Sequence, residues 1–209
     1  MVNKLLILVG AAAILFSLGC DGDEPFVKMS QADWTADGWA AWQKGDYDGA
    51  EMAFGNALKV DPYYAEAHGG LGWTYIRTQN LEEALDKFEN AILIGEQAGT
   101  LRPVRQLIYM GAATAYEAND DYQLSAERGR YMVNALDGAN FTFTADTRVT
   151  GYDLYIILAL DYYGLGAADN CVWAINKMRG MVGEATNYKF SNWKNVTIEI
   201  ERLIGKDPS

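Results

Sequence analysis

The sequence predicts an all-α fold, a short right-handed α-solenoid of about four helical hairpins followed by a C-terminal capping helix. The main reason is a set of small and aromatic residues that returns after 34 residues. The set is Gly38, Ala50, Phe54 and Ala57, which returns as Gly72, Ala84, Phe88 and Ala91. Small residues at such positions let paired helices approach closely, and large ones fill the space between pairs. Because one pair cannot bury its apolar face alone, a stack of several pairs is expected.

The first two hairpins occupy residues 30–98 and share one register. Ser30 and Asp33 have the spacing of a capping box, in which each side chain accepts a hydrogen bond from the other residue's backbone N–H. Pro62 lacks an N–H and restricts the residue before it, so the second helix should end near Asp61. These residues are predicted to form two well-matched units.

The period becomes irregular beyond Gly99. The best third register starts at Gln106, with Pro103 near the start of its first helix. That register places Gly129 where the repeat expects a phenylalanine. The third unit is therefore predicted to be degenerate and to follow a lengthened connection.

A short extended loop is expected at residues 140–144, where polar and apolar residues alternate. A fourth degenerate unit follows from Tyr152, so residues 99–183 are predicted to hold two such units. Residues 184–209 form the capping helix and tail, with Ser191 as the expected N-cap. Such a cap covers the apolar end of a solenoid.

The first nineteen residues are predicted to be an export signal. Lys4 precedes an apolar run from Leu5 to Leu18, and that run is shorter than the roughly 20 residues that span a bilayer comfortably. Residues 20–29 then form a charged tether before the first helix.

The end of this signal, Ser17-Leu18-Gly19-Cys20, resembles the processing box of bacterial lipoproteins. The resemblance implies that residues 1–19 are cleaved and that Cys20 becomes lipidated and anchors the chain to a membrane. Ser17 departs from the family pattern, which usually has leucine at that position. An ordinary cleaved signal and an uncleaved anchor are the alternatives.

The composition excludes several classes of function. A net charge of −11 argues against nucleic-acid binding and against docking on anionic lipid through charge. The only histidine, His68, stands at a packing position, and Cys171 sits where the repeat wants a small core residue. No set of acid, base, nucleophile or metal ligands is assembled, so neither catalytic activity nor a cofactor or metal is predicted.

The repeated pattern resembles the tetratricopeptide repeat (TPR), on positions that include Trp34, Gly45, Tyr47 and Pro62 of the first unit. The resemblance implies that the first helix of each hairpin lines a concave groove. Carried onto this chain, the partner-binding positions are Trp39, Trp42, Gln43, Trp73, Ile76, Arg77, Glu117 and Tyr163. The degenerate units add Met110, Thr114, Ile156 and Leu160.

With its export signal, the chain is similar to the TPR lipoproteins of the bacterial cell envelope. This similarity implies a lipid-anchored, periplasm-facing scaffold or adaptor that binds a partner protein or peptide without catalysis, on either the inner or the outer membrane. An aromatic groove of this kind suits an extended or helical peptide. Two alternatives stay open: the aromatic residues are core rather than contacts, or the chain is an envelope binding module for a small apolar or glycan ligand.

Overall fold

The structure is a computed structural model that describes residues 28–207. Within that range the chain forms α-helices, one turn of 3₁₀ helix at Gly138–Asn140 and an isolated antiparallel bridge between Thr142 and Thr150. The predicted signal peptide, Cys20 and most of the predicted tether lie outside the described residues. The helices are α1 (Gln31–Gln43), α2 (Tyr47–Val60), α3 (Ala65–Arg77), α4 (Leu81–Ala98), α5 (Arg102–Ala118), α6 (Tyr122–Ala135), α7 (Gly151–Gly164), α8 (Ala168–Met181) and α9 (Trp193–Ile204).

The nine helices of this range stack as four hairpins and a cap, so the predicted α-solenoid is confirmed. The hairpins are α1–α2, α3–α4, α5–α6 and α7–α8, and each packs on the next. Helices α1, α3, α5 and α7 contact one another in series and form one side of the stack. Helix α9 packs on both α7 and α8 and closes the C-terminal end.

Helix caps follow the sequence closely at the first helix and less closely at the last. Asp33 N donates to Ser30 Oγ at 3.2 Å and Ser30 N donates to Asp33 Oδ2 at 2.9 Å, which confirms the capping box. At α9 the N-cap is Asn192, whose Oδ1 accepts from the backbone N–H of Asn195 at 2.9 Å. The prediction of Ser191 was therefore wrong by one residue. Asparagine caps a helix as well as serine does, so composition alone could not choose between these neighbours.

Glycine–phenylalanine contacts set the spacing between the well-matched hairpins. The ring of Phe54 is buried against Gly38 of its own hairpin and Gly70 of the next one. A Cβ atom placed on Gly38 would lie 2.6 Å from Phe54 Cε1, so only glycine allows this approach. The same arrangement recurs one unit later with Phe88, Gly72 and Gly111.

In the third hairpin, leucine side chains of the next hairpin take the place of the phenylalanine. At Gly129, where the repeat expects phenylalanine, a Cβ atom would lie 2.9 Å from Leu158 Cδ2 of α7. Leu158 is fully buried there, with Leu154 beside it. Side chains of α7 thus fill the space that a phenylalanine of α6 fills in the other units.

The turn within each hairpin contains a residue with positive φ, and the spacing of these residues shows where the repeat becomes longer. The residues that precede the second helix of each hairpin in left-handed conformation are Gly45, Gln79, Asp120 and Gly166. Successive members lie 34, 41 and 46 residues apart. The first increase arises because α4 and α5 have 18 and 17 residues, against 14 and 13 in α2 and α3. The second arises from the long connection between α6 and α7.

Candidate partner-binding groove

The side of the stack formed by the first helices, which we call its concave side, carries the three tryptophans predicted to bind a partner. Trp39 and Trp42 lie on α1, and Trp73 lies beside them on α3. We name these three tryptophans the aromatic cage. Trp39 and Trp42 meet edge-on at 6.1 Å, and all three indoles contact the same ring, as described next, because their positions on successive first helices point to the same side of the solenoid.

Part of the connection between α6 and α7 fills this cage. We name residues 141–150 the plug. The ring of Phe143 stacks on Trp73, with centroids 4.7 Å apart and an interplanar angle of 28°. It also meets Trp39 at 5.6 Å and Trp42 at 5.4 Å, and Phe143 is completely buried. The expected extended loop therefore points its phenylalanines into the groove instead of running over the surface.

An ion pair holds the plug at the edge of the cage. Arg77 Nη2 donates to Asp146 Oδ2 at 3.0 Å, and the Arg77 guanidinium lies 4.9 Å from the centre of the Trp42 ring. Hydrogen bonds from Arg148 and the charge of Arg77 lower the pKa of Asp146. Asp146 therefore stays ionised at neutral pH and pairs with the cation that lies over the cage.

The backbone of the plug is bonded to itself. Phe143 N donates to Val149 O at 2.8 Å, and Gly151 N donates to Phe141 O at 2.8 Å. Among the described residues, the backbone–backbone hydrogen bonds of 141–149 all stay within 138–151. Within the described residues, no backbone–backbone hydrogen bond thus joins the plug to α1, α3 or α5, whereas its last residue, Thr150, is the N-cap of α7.

The three indole N–H groups of the cage are not equally satisfied. Trp39 Nε1 donates to Glu66 Oε1 at 3.3 Å, and Trp73 Nε1 donates to Leu107 O at 3.0 Å. Trp42 Nε1 has no acceptor among the described residues, although Trp42 is only 4% exposed. A buried donor without a partner is uncommon in native proteins and has an energetic cost.

A second part of the concave side is open to solvent. We name it the open patch: it surrounds a cavity of about 260 Å³ between α3, α5, α7 and the plug. Its lining residues are Trp73, Ile76, Arg77, Met110, Thr114, Val149, Asp153, Ile156 and Ile157. The structure thus brings together Ile76 and Arg77 of the second unit with Met110, Thr114 and Ile156 of the degenerate units.

Three lining residues of the open patch did not emerge from the repeat pattern. Val149 belongs to the plug, whose position no repeat register describes. Asp153 is the third residue of α7, where its carboxylate accepts from Thr150 N at 2.7 Å in a capping box. That Thr-x-x-Asp spacing is a sequence signal for the cap, but not for a place in the groove. Ile157 follows Ile156 on α7 and lies outside the positions that the repeat register assigns to the groove.

The remaining predicted positions do not line this patch. Gln43 is exposed at the end of α1, and Leu160 is half-buried on α7. Glu117 is half-buried near the end of α5, where burial and the charge of Asp120 raise its pKa. Tyr163 is 41% exposed and packs edge-on against Trp193 of α9 at 5.3 Å, at the far end of α7.

Residues that could carry chemistry elsewhere are packed in the solenoid. His68 Nε2 lies 3.0 Å from Pro62 O, and burial lowers the pKa of this imidazole. Cys171 is fully buried, its Sγ donates to Ala159 O at 3.4 Å, and burial raises the pKa of the thiol to about 11. Between residues 28 and 207 no three His, Cys, Asp or Glu side chains are grouped to hold a metal ion. In the same range no helix has the length and apolarity to cross a bilayer.

Comparison with known proteins supports the assignment of the repeat. The tetratricopeptide repeat family matches residues 35–102, a range that runs from α1 to the first residue of α5. A crystal structure of MamA protein resembles the chain with a TM-score of 0.54 and 19% identity, over 85% of this chain and 89% of that one. A second MamA structure resembles the chain with a TM-score of 0.52 and 19% identity, over 81% of this chain and 91% of that one. No curated protein sequence matches the chain. The chain therefore has a TPR-like solenoid fold.

Proposed function

We propose that this protein is a non-catalytic scaffold that holds a partner protein or peptide on the open patch. TPR-like solenoids present extended concave surfaces to their partners, and the stack of α1, α3, α5 and α7 forms such a surface. The observation that carries the proposal is the convergence of apolar side chains from three successive first helices on one open cavity. Its volume of about 260 Å³ is below the roughly 300–1,000 Å³ of sites for drug-sized ligands, and it suits a few side chains of a peptide.

The charges around the open patch favour a partner with basic residues. Asp153 lines the cavity, and Glu117 lies on the same face of α5 as Met110 and Thr114 because these positions are three and four residues apart. Neither carboxylate forms a salt bridge within residues 28–207. The whole chain is also acidic, with a net charge of −11. A segment with apolar anchors next to lysine or arginine would complement both features.

The cellular place that we propose is the bacterial envelope, where lipidated Cys20 would tether the scaffold to a membrane and face it towards the periplasm. Its support is the Ser17–Cys20 processing box described above. Ser30, the N-cap of α1, lies ten positions after Cys20, so the tether would keep the start of the solenoid within about 35 Å of the membrane. Replacing Cys20 by serine should abolish palmitate labelling and release the protein from the membrane fraction. Unchanged labelling would refute the lipid anchor and leave the scaffold role untouched.

Site-specific crosslinking tests the scaffold role itself. A photoreactive amino acid at Ile156 on the open patch should capture a partner protein in the native host. The matched control is Met52 on α2, which is 68% exposed and lies outside the open patch. Capture at Ile156 should also fall at least tenfold in Thr114→Arg, because the new cation would face a basic partner from a half-buried position.

Equal capture from Ile156 and Met52 would refute the open patch as the partner site. Capture of no protein, together with a shift of tryptophan fluorescence on adding glycans or lipids, would instead support a binding module for small ligands. Thr114→Arg must keep the wild-type melting temperature for its result to count. We expect it to do so because Thr114 Oγ1 donates only to Met110 O of its own helix. Thermal unfolding of the variant checks this.

A further inference from the structure

The aromatic cage and its plug have the form of a recognition site with a ligand in place. Tryptophans of two successive repeats surround one phenylalanine ring, with Trp73 stacked on it and the other two tilted or edge-on. Arg77 stands beside the cage and binds a carboxylate three residues after that phenylalanine. The residues of the plug that these groups contact thus form a short pattern, an aromatic side chain followed three residues later by an acid.

The plug is hydrogen-bonded to the helices of the cage through side chains, and its last residue, Thr150, caps α7. None of its backbone–backbone hydrogen bonds reaches α1, α3 or α5 within the described residues. Its contacts with the cage side include the ring of Phe143 and the ion pair of Asp146 with Arg77, and Phe141, Ala145 and Val149 pack on the core beside them. Segments with self-contained hydrogen bonding open locally at lower cost than segments that share a ladder with the core.

The plug also fits the cage incompletely. Trp42 Nε1 is buried without an acceptor while the plug is in place. A cavity of about 140 Å³ remains beside the plug, between α1, α3 and α5, lined by residues that include Trp39, Glu66 and Phe141. A different occupant could supply an acceptor to Trp42 and fill this space, whereas the resident segment does neither.

We propose that the plug is a displaceable internal ligand, and that the cage is a second recognition site for an extended partner segment with an aromatic residue and a carboxylate at positions i and i+3. This site adjoins the open patch, with which it shares Trp73 and Arg77. Its occupant takes the place of the plug, so the proposal goes beyond the scaffold role. Because the plug competes within the same chain, the apparent affinity for the segment is the intrinsic affinity multiplied by the fraction of molecules in which the plug has left the cage. Weakening the plug must therefore strengthen binding of the segment.

The test uses a labelled peptide with the sequence of residues 139–151 and the purified chain, followed by fluorescence anisotropy. Phe143→Ala removes the ring from the cage and leaves the tryptophans and Arg77 unchanged. We expect this variant to bind the peptide at least tenfold more tightly than the wild type. A peptide with alanine in place of its Phe143 should not bind, and adding Arg77→Ala to the protein variant should reverse most of the gain.

A second variant keeps the test decisive if loss of the buried ring unfolds the chain. Asp146→Ala removes the ion pair with Arg77 and the hydrogen bonds from Arg148, but it leaves the buried ring in place. It should give a smaller gain in peptide affinity with unchanged circular dichroism. The proposal is overturned if neither folded variant binds the peptide more tightly than the wild type, or if the alanine peptide binds equally well. It is also overturned if the wild type forms a dimer that Phe143→Ala dissolves, because the occupant would then be the plug of a second copy.

Discussion

Asp161 is a carboxyl group enclosed in the middle of the solenoid, and its protonation should control stability near neutral pH. It is completely buried on α7, and its Oδ2 lies 2.7 Å from Ser125 Oγ of α6. Ser125 Oγ lies also 3.0 Å from the carbonyl oxygen of Ala113. A single hydroxyl proton cannot serve both acceptors. A neutral Asp161 removes the conflict, because its own O–H donates to Ser125 and Ser125 donates to Ala113.

The sign of the effect follows from the pKa. Burial, helped by the charge of Glu117, raises the pKa of Asp161 from 3.8 to about 7. The folded state therefore holds a proton that the unfolded state has lost between these two values, so stability falls as pH rises through this window. The free energy of unfolding falls by about 1.4 kcal/mol for each pH unit while only the folded state holds the proton, which is from pH 5 to about pH 7. Between pH 5 and pH 8 the protein should therefore lose about 3 kcal/mol of stability.

Asp161→Asn should remove this pH dependence, since its amide keeps the shape of the neutral acid and can donate to Ser125. Urea unfolding of both proteins at several values between pH 5 and pH 8 gives the difference in stability at each pH. His68, whose pKa is lowered by burial, acts in the opposite direction in both proteins and largely cancels in that difference. The difference should grow with pH in favour of the variant. A variant that keeps the wild-type slope would show that Asp161 does not change its protonation on folding.

Two further predictions concern glycine and left-handed positions, both measured by urea or thermal unfolding. Gly72→Ala should lower the free energy of unfolding by about 1–3 kcal/mol, since a Cβ atom there would lie 2.7 Å from the Phe88 ring. Gly55→Ala should instead raise it by up to about 1 kcal/mol, because alanine favours the helix and no neighbouring atom lies within 4 Å of its Cβ position. Equal effects would contradict the close-packing argument. Gln79→Gly should stabilise by about 1 kcal/mol, because Gln79 has φ 63°, and Gly45→Gln, at φ 78°, should destabilise by a similar amount. A loss of stability in Gln79→Gly would show that its side chain contributes more than its backbone costs.

The first half of the fold was predictable because its packing is encoded locally. Gly38 and Phe54 meet within one hairpin, so their recurrence 34 residues later reports the same contact. The second half uses contacts between hairpins instead, as when Leu158 of α7 fills the space over Gly129. No fixed spacing within one unit records such an exchange. The longer helices α4 and α5 then shift the register that a repeat search needs.

The candidate site shows the same limit more sharply. The repeat register finds the tryptophans of the cage, because each occupies a fixed position on a first helix. It cannot find their occupant, since Phe143 lies in a connection whose direction depends on the finished solenoid. The alternation of residues 140–144 was visible, but not the surface that buries it. Asp146 pairs with Arg77 across 69 residues of sequence, a distance at which a single sequence carries no signal.

The two proposed sites share a wall, and this predicts that their occupants influence each other. Val149 belongs to the plug and also lines the open patch, and Asp153 follows it at the start of α7. A segment that displaces the plug must move Val149 and change the shape of the open cavity. By linkage, a partner that needs the intact cavity must then oppose displacement of the plug by the same factor. The solenoid would therefore hold one partner or the other more readily than both, although no contact joins the two occupants.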